Sequence, residues 1–348
     1  MDKTRAMSPA ATGRLDMSLD LDGGASAARV RVKLSMETDS PREAPAPGTS
    51  LVDSVTYPPP EVTFGPKGHG TIAVIAMNDL EARRPDIKAK VDAILAKDPQ
   101  ERSDYFTAAN WPDRIRPKRP ETRPWHYVDI IYDPRRPEVS PALPEAPHAI
   151  SALVAMSEKL RAADDPEEKA DALCFVLHLI GDIHQPLHCI SRVTPEHPAP
   201  EGDRGGNLFK LRGQYRNLHS LWDDSVNLSL QDTAEELAVE IVKRYPRESL
   251  AREVSKKSPE AWVRAGYALA VERAYKPLED GDGDALRSPS AYQREMIAAE
   301  RGSSSFDADG GAPRPSNTYL RAARDAGQRQ AALGGYRLAG WLIDQLGG

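Results

Sequence analysis

Two histidine–aspartate pairs at helical spacing, His178 with Asp182 and His219 with Asp223, are where this chain concentrates its capacity for chemistry. Four residues apart on a helix, two side chains share one face, one turn apart. The first pair lies in the run Cys174 to Cys189, CFVLHLIGDIHQPLHC, which is otherwise mostly apolar. Leu173, Val176, Leu177 and Ile180 give that helix a buried side, which places the ionisable pair at or near the core. Burying a carboxylate and an imidazole without compensation is expensive, and a cation removes that cost. Pro186 lacks an N–H and crowds the preceding turn, so it kinks or ends the helix and frees His188 to point elsewhere. The second pair, in RNLHSLWDDSV, repeats the spacing on a second predicted helix.

Three further histidine settings are comparable, so five of the eight histidines stand out: His69, His126, His178, His188 and His219. Each lies near an aspartate or a glycine-rich turn. Neutral imidazole and carboxylate are ligand types for zinc, which is typically four-coordinate. With Asp113, Asp182 and Asp223 these make eight side chains, too many for one zinc and enough for two or three. A carboxylate such as Asp182 can bridge two metals, one oxygen to each. Closely spaced metals clamp the attacking and leaving oxygens of a phosphoryl transfer. The residues by themselves point to a multi-zinc hydrolase of open substrate class.

The elements that must position these groups are helices. The chain has 348 residues, 40% of them hydrophobic, enough for one large domain or two small ones. Order begins near Phe64. FGPKGHGTIAVIAMNDLEARR turns helical from about His69, with Ile72, Ile75, Ala76 and Leu80 on one stripe. Helices follow from Ile87, over HAISALVAMSEKLRAA, and after Asp165-Pro166, a good start with acidic residues in the first turn. Trp111-Pro112 marks a turn, with Asp113 and Arg116 beside it. RPWHYVDIIYDP is short, aromatic and β-branched, hence extended or irregular. Further helices are expected at Thr233 to Tyr245, Pro259 to Glu279 and Tyr319 to Leu346, and GSSSFDADGGAPRPSN between the last two reads as a surface loop. Alternating strand patterns are almost absent. The fold class is mainly α, a single domain over residues 64–348. Residues 1–63 mix Ser, Ala, Pro, Asp and Arg with little periodicity and read as a disordered extension, pro-segment or mis-started region, VRVKL being its one short strand candidate.

Composition narrows the partners. A net charge of −6 argues against a broad cationic surface, so nucleic acid would be bound at a local site or through metal ions. Two cysteines make no disulfide framework, and Cys174 and Cys189 read as buried thiols. No run is long and apolar enough to span a membrane, and the N-terminus is not a recognisable signal peptide.

Six motifs, in order, carry a resemblance: FGxxGH, WxDxxR, WHYVDI, HLIGDIHQPLH, GDRGGN and NLHSLWDD. Together with the closing GYRLAGWLIDQL, the set resembles the zinc-dependent single-strand-specific nuclease and 3′-nucleotidase family, the mung bean nuclease type. The match runs from about Phe64 to the C-terminus. It implies a single all-helical domain of the zinc phospholipase C/nuclease type and three Zn2+ per chain. Asp113, His126, His178 and Asp182 would hold the first. His188, His219 and Asp223 would hold one that stands apart. The third would pair with the first through Asp182, with His69 and the first mature residue as ligands. Arg116 matches the arginine that stabilises the transition-state phosphate, where a planar guanidinium suits the geometry. Asp113 also orients the attacking water in this reading. Tyr127 matches an aromatic that stacks on a base, Asp129 a residue that hydrogen-bonds it, and Asn207 has a weaker substrate role. His184 is assigned no role and is expected to support the site from behind or to be exposed, and His148 and His197 are expected at the surface. The implied partners are single-stranded nucleic acid and nucleotides. A monomer, secreted or periplasmic, is expected.

One departure matters. The family's first mature residue is a tryptophan that binds zinc through its free amine and carbonyl; here it is Phe64, preceded by 63 residues. A ring change leaves backbone ligands intact. An amide nitrogen, however, has no available lone pair, whereas a free α-amine titrates near pH 8 and can bind metal. The active form is therefore expected to begin at Phe64. A second departure is the run ISRVTPEHPAPE, longer than a minimal connection to GDRGGN and placed to shape substrate access. Two rival readings remain at this point. A phospholipase-C-like lipid phosphodiesterase shares the fold and ligand types, and hydrolysis of phosphatidylcholine against single-stranded DNA separates it. A non-catalytic nucleotide-binding relative keeps the fold without turnover.

Overall fold

Helix-starting chemistry recurs along the chain. Asp104, Asp165, Asn217, Thr233, Ser258 and Ser316 each accept a hydrogen bond from the backbone N–H three residues on. Each such cap is worth about 1 kcal/mol. The computed structural model describes residues 65–100, 102–136, 141–227, 233–281 and 312–348. All of them belong to one compact unit, Pro59–Gly348. Residues 1–64, which include VRVKL and Phe64, lie outside the described residues, as does most of GSSSFDADGGAPRPSN.

The fold is mainly α. Helices α1 (Pro66–Arg83), α2 (Pro85–Leu95), α3 (Tyr105–Ile115), α4 (Ala149–Ala162) and α5 (Pro166–Asp182) come first. Helices α6 (Leu218–Asp223), α7 (Ala234–Arg244), α8 (Ala251–Val254), α9 (Pro259–Leu269) and α10 (Lys276–Glu279) follow, α9 and α10 being joined by the π-helical segment Ala270–Tyr275. The 30-residue α11 (Asn317–Leu346) closes the chain and packs along α1. Two three-residue strands, β1 (Ile130–Tyr132) and β2 (Ile190–Arg192), pair in parallel with Ile130 opposite Ile190.

Helix α5 is buried more completely than its apolar stripe suggests. Every residue from Ala172 to Asp182 is buried, so the helix runs through the core rather than along it. It ends at Asp182, before the proline. Pro186 opens a separate 3-10 turn, Pro186–Cys189, whose N-cap Gln185 accepts from the Leu187 N–H at 2.6 Å. Trp111-Pro112 is not a turn: both residues lie inside α3. A proline there removes one helical hydrogen bond, but burial of Trp111 edge-on to Phe175 holds the helix continuous. Cys174 and Cys189 are buried free thiols. The β1–β2 ladder has a positioning role, because it ties the segment after His126 to the segment after His188. Just ahead of it, the Val128 N–H donates to His188 O at 2.7 Å.

Candidate metal centre and its cavity

Five elements converge on Asp182. His69 comes from the first turn of α1, Asp113 from the end of α3, and His126 from the 3-10 turn Pro120–His126. His178 and Asp182 lie on α5, and His188 on the turn after it. The two oxygens of Asp182 divide the histidines between them. Oδ2 lies 3.0 Å from both His178 Nε2 and His126 Nδ1. Oδ1 lies 3.0 Å from His188 Nδ1 and 3.5 Å from His69 Nε2. Asp113 Oδ1 is 3.6 Å from His126 Nδ1 and 3.7 Å from His178 Nε2. The rings of His69 and His178 stack with centroids 3.8 Å apart. Gly181 makes that stack fit, since a Cβ there would stand 2.5 Å from His69 Nδ1.

A second group forms on α6. His219 Nε2 lies 3.5 Å from Asp223 Oδ2, and His188 Nε2 lies 3.6 Å from Asp223 Oδ1. His188 therefore faces both carboxylates. Three sets of donor atoms each gather within 4.8 Å: His69, His178 and Asp182; Asp113, His126 and His178; His188, His219 and Asp223.

The proton positions suit a cation. His178 Nδ1 donates to Ala109 O at 2.7 Å, and His219 Nδ1 donates to Gly205 O at 2.7 Å. Each bond leaves an Nε2 lone pair aimed at a carboxylate oxygen. Two acceptors facing each other repel unless a proton or a metal lies between them. Backbone carbonyls that orient imidazoles in this way are the usual outer shell of metal ligands. Asp223 is oriented likewise: Gln185 Nε2 donates to its Oδ1 at 2.7 Å, while Oδ2 accepts no hydrogen bond among the described residues.

In the metal-free protein the charges follow from burial and pairing. Burial opposes ionisation of Asp182, but His178, His188 and hydrogen bonds hold it well below the usual carboxylate range. Burial likewise opposes charge on His188, yet Asp182 and Asp223 push it up to about 10. Burial is outweighed at His178 too, by Asp182 and Asp113, so its pKa is raised. Burial wins at His69, His126 and His219, whose pKa values are lowered. Positive charge is thus favoured beside the Asp182 carboxylate, chiefly on His188.

Beside the cluster is a cavity of about 580 Å³. Asp113, Arg116, His126, Tyr127, Asp129, His188, Asn207 and His219 line it. Arg116 Nη1 donates to Asp113 Oδ1 at 3.2 Å. Tyr127 is 37% exposed, enough to meet a ligand. Burial and the neighbouring Asp203 push Asp129 up to about 7. Asn207 is exposed, and its Nδ2 donates to Arg204 O at 2.9 Å. Phe64 is not described, but Gly65 sits against α6, where a Cβ would be 3.9 Å from Asp223 O.

The family model described as S1/P1 Nuclease matches residues 64–347. The chain belongs to the S1/P1 nuclease family. That membership makes it a hydrolase of nuclease type in a metal-dependent family. Endonuclease 2 of Arabidopsis thaliana is 27% identical over 263 residues, 68% of this chain and 85% of that protein. Nuclease P1 of Penicillium citrinum is 24% identical over 295 residues, 80% of this chain and 96% of that one. Nuclease S1 of Aspergillus oryzae is 27% identical over 195 residues, 52% of this chain and 63% of that one. Among the described residues of this S1/P1 nuclease, no helix is long and apolar enough to cross a membrane.

Some participants carry no clear signal in the sequence. Gln185 sits within HLIGDIHQPLH, where nothing in its type or spacing marks it as a partner of Asp223. The carbonyls of Ala109 and Gly205 carry no sequence signal. Arg123, Glu201, Arg204 and Arg216 also line the cavity, and only the loop glycines around Arg204 hinted at it. His184 is fully buried, not exposed: its Nδ1 donates to Ile180 O at 2.6 Å, and Arg337 Nη1 donates to its Nε2 at 2.9 Å. His148 caps α4 by accepting from the Ser151 N–H at 3.2 Å.

Proposed function

We propose that this chain is a zinc-dependent phosphodiesterase that cleaves single-stranded DNA or RNA to 5′-phosphorylated products and removes 3′-phosphates from nucleotides. The observation that carries this reading is the division of Asp182, with each oxygen facing its own imidazoles beside a cavity that holds Arg116 and Tyr127. Asp113, His126, His178 and Asp182 would hold one cation, with His69 joining Asp182 on its neighbour. His188, His219 and Asp223 would hold the third. The all-imidazole and carboxylate donor set suits zinc. Such cations supply Lewis-acid charge at phosphoryl oxygens and make water easier to deprotonate near neutral pH.

The chain's own groups do the rest. Arg116, anchored on Asp113, lines the cavity and stabilises charge that builds on the phosphoryl oxygens. Asp113 orients the attacking water. Tyr127 stacks on a base, and Asp129 hydrogen-bonds the edge of that base. Stacking needs an exposed base face, which a duplex covers with its neighbours, and this gives the preference for single strands.

The test is hydrolysis by the purified chain of single-stranded DNA, duplex DNA, a nucleoside 3′-monophosphate and phosphatidylcholine, before and after chelation and zinc return. Zinc-restored turnover of single strands and of the nucleotide is expected. Equal rates on the duplex, faster turnover of the lipid, or indifference to chelator would each reject the reading.

A further inference from the structure

The loop GDRGGN reverses the chain through four positive φ angles: Gly202 at 57°, Arg204 at 54°, Gly205 at 62° and Gly206 at 81°. Three of the four are glycine, which reaches this region without penalty. Arg204 is the single non-glycine residue with positive φ among the described residues. The fold imposes that conformation. Asp203 is fully buried and accepts from the backbone N–H groups of Arg192 and Gly206, both at 3.0 Å, and from Tyr275 Oη at 2.9 Å. On the other side Gly205 O takes the His219 Nδ1 proton, and a Cβ at Gly205 would stand 2.3 Å from Leu187 O. The Arg204 N–H is itself held by Ser191 Oγ at 3.0 Å.

Glycine at 204 would meet every one of these backbone demands at lower cost. Strain of this kind persists where a side chain is needed for function. The Arg204 side chain is exposed and lines the cavity that also holds Arg116 and Tyr127. Its guanidinium makes no ion pair within 4 Å among the described residues, and its charge acts on Asp129 of the same cavity only from a distance. Arg123, on the same turn as His126, lines the same cavity and makes no ion pair among the described residues. Fixed positive charge at the rim of a metal cavity is what an acidic protein needs to grip a polyanion.

We infer that Arg204 is a specificity-determining residue, contacting a backbone phosphate of the substrate strand outside the scissile linkage and so favouring polynucleotide over mononucleotide. The inference rests on the nuclease reading of the cavity given above. A nucleoside 3′-monophosphate has no second phosphate for Arg204 to hold, whereas an oligonucleotide does.

The experiment compares wild type with Arg204→Ala, Arg204→Lys and Arg204→Gly in the zinc-loaded protein. It reads kcat/KM for a short single-stranded oligonucleotide and for a nucleoside 3′-monophosphate at several salt concentrations. It also reads oligonucleotide binding by fluorescence anisotropy, and Tm. The oligonucleotide-to-mononucleotide ratio should fall about tenfold in Arg204→Ala and Arg204→Gly and recover in part in Arg204→Lys. The log–log salt slope of oligonucleotide binding should drop by about 0.7, the share of one single-strand phosphate contact. Arg204→Gly should melt no lower than wild type, because it relieves the positive φ. Equal loss on both substrates, an unchanged salt slope, or a lower Tm for Arg204→Gly than for Arg204→Ala would overturn the inference. A wild type that turns over neither substrate would bring down the nuclease reading instead, and the salt slope of binding would still decide the fate of Arg204.

Discussion

His178 and Asp182 stand one turn apart on α5, with Nε2 and Oδ2 separated by 3.0 Å and both side chains buried. The His178 proton is committed to Ala109 O on the far side of the ring. A lone pair and a carboxylate oxygen are thereby held face to face in the core, an arrangement that favours a cation.

Replacing Asp182 tests that arrangement most directly. Asp182→Asn removes the charge shared by the histidines on both oxygens. At least two of the expected three zincs should be lost on elemental analysis, and turnover of single-stranded DNA should fall by more than about 100-fold, exceeding the typical cost of losing an outer-shell partner. Full zinc content in this variant would show that Asp182 bridges nothing.

Gln185 should matter without touching metal. Its amide holds Asp223 Oδ1 at 2.7 Å. Gln185→Leu should weaken zinc binding at the His188, His219 and Asp223 set by about 10- to 100-fold, measured by competition with a chelator. No change in affinity would reduce Gln185 to packing.

Arg116 separates transition-state from ground-state binding. Arg116→Ala should lower kcat by about 10²- to 10³-fold with a much smaller change in KM. Arg116→Lys should restore little, because lysine lacks the planar fork. An effect confined to KM would assign Arg116 to substrate capture only.

Asp129 sets a pH dependence. It titrates near 7 in the folded metal-free protein, against about 3.9 in an unfolded chain. Between those values the folded state keeps a proton that the unfolded state has released. Its contribution to stability is therefore complete below about pH 4 and is lost as pH rises through 7. Metal-free wild type should lose up to roughly 4 kcal/mol relative to Asp129→Asn across that window. Zinc favours the carboxylate and should shrink the difference. Parallel stability curves for the two proteins in the absence of metal would disprove the shift.

Zinc stoichiometry examines the chain start. A chain beginning at Phe64 offers a free amine beside Gly65, which packs against the Asp223 end of α6. It should bind three zincs, and the chain with residues 1–63 attached should bind two, since an amide nitrogen is a poor ligand. Equal counts would remove the amine from the ligand set.

The ligand pairs and the fold class are legible in the order of residues alone. Helical spacing paired His178 with Asp182 and His219 with Asp223, and six ordered motifs pointed to a mainly α nuclease. These signals are local, so they survive without a fold. Whatever depends on distant partners becomes fixed only on folding. Which Asp182 oxygen serves which imidazole is set by His69 and His188, carried on separate elements. The tautomers of His178 and His219 are set by carbonyls 69 and 14 residues away. His184 became a core residue because Arg337, 153 residues later, reaches it. Trp111-Pro112 stayed helical because burial against α5 outweighed the missing N–H. Arg204 took a glycine's conformation because Asp203 and Gly205 pin the chain on either side of it. Spacing in a sequence records neighbours along the chain, whereas proton positions, burial and backbone strain are properties of contacts that only folding creates.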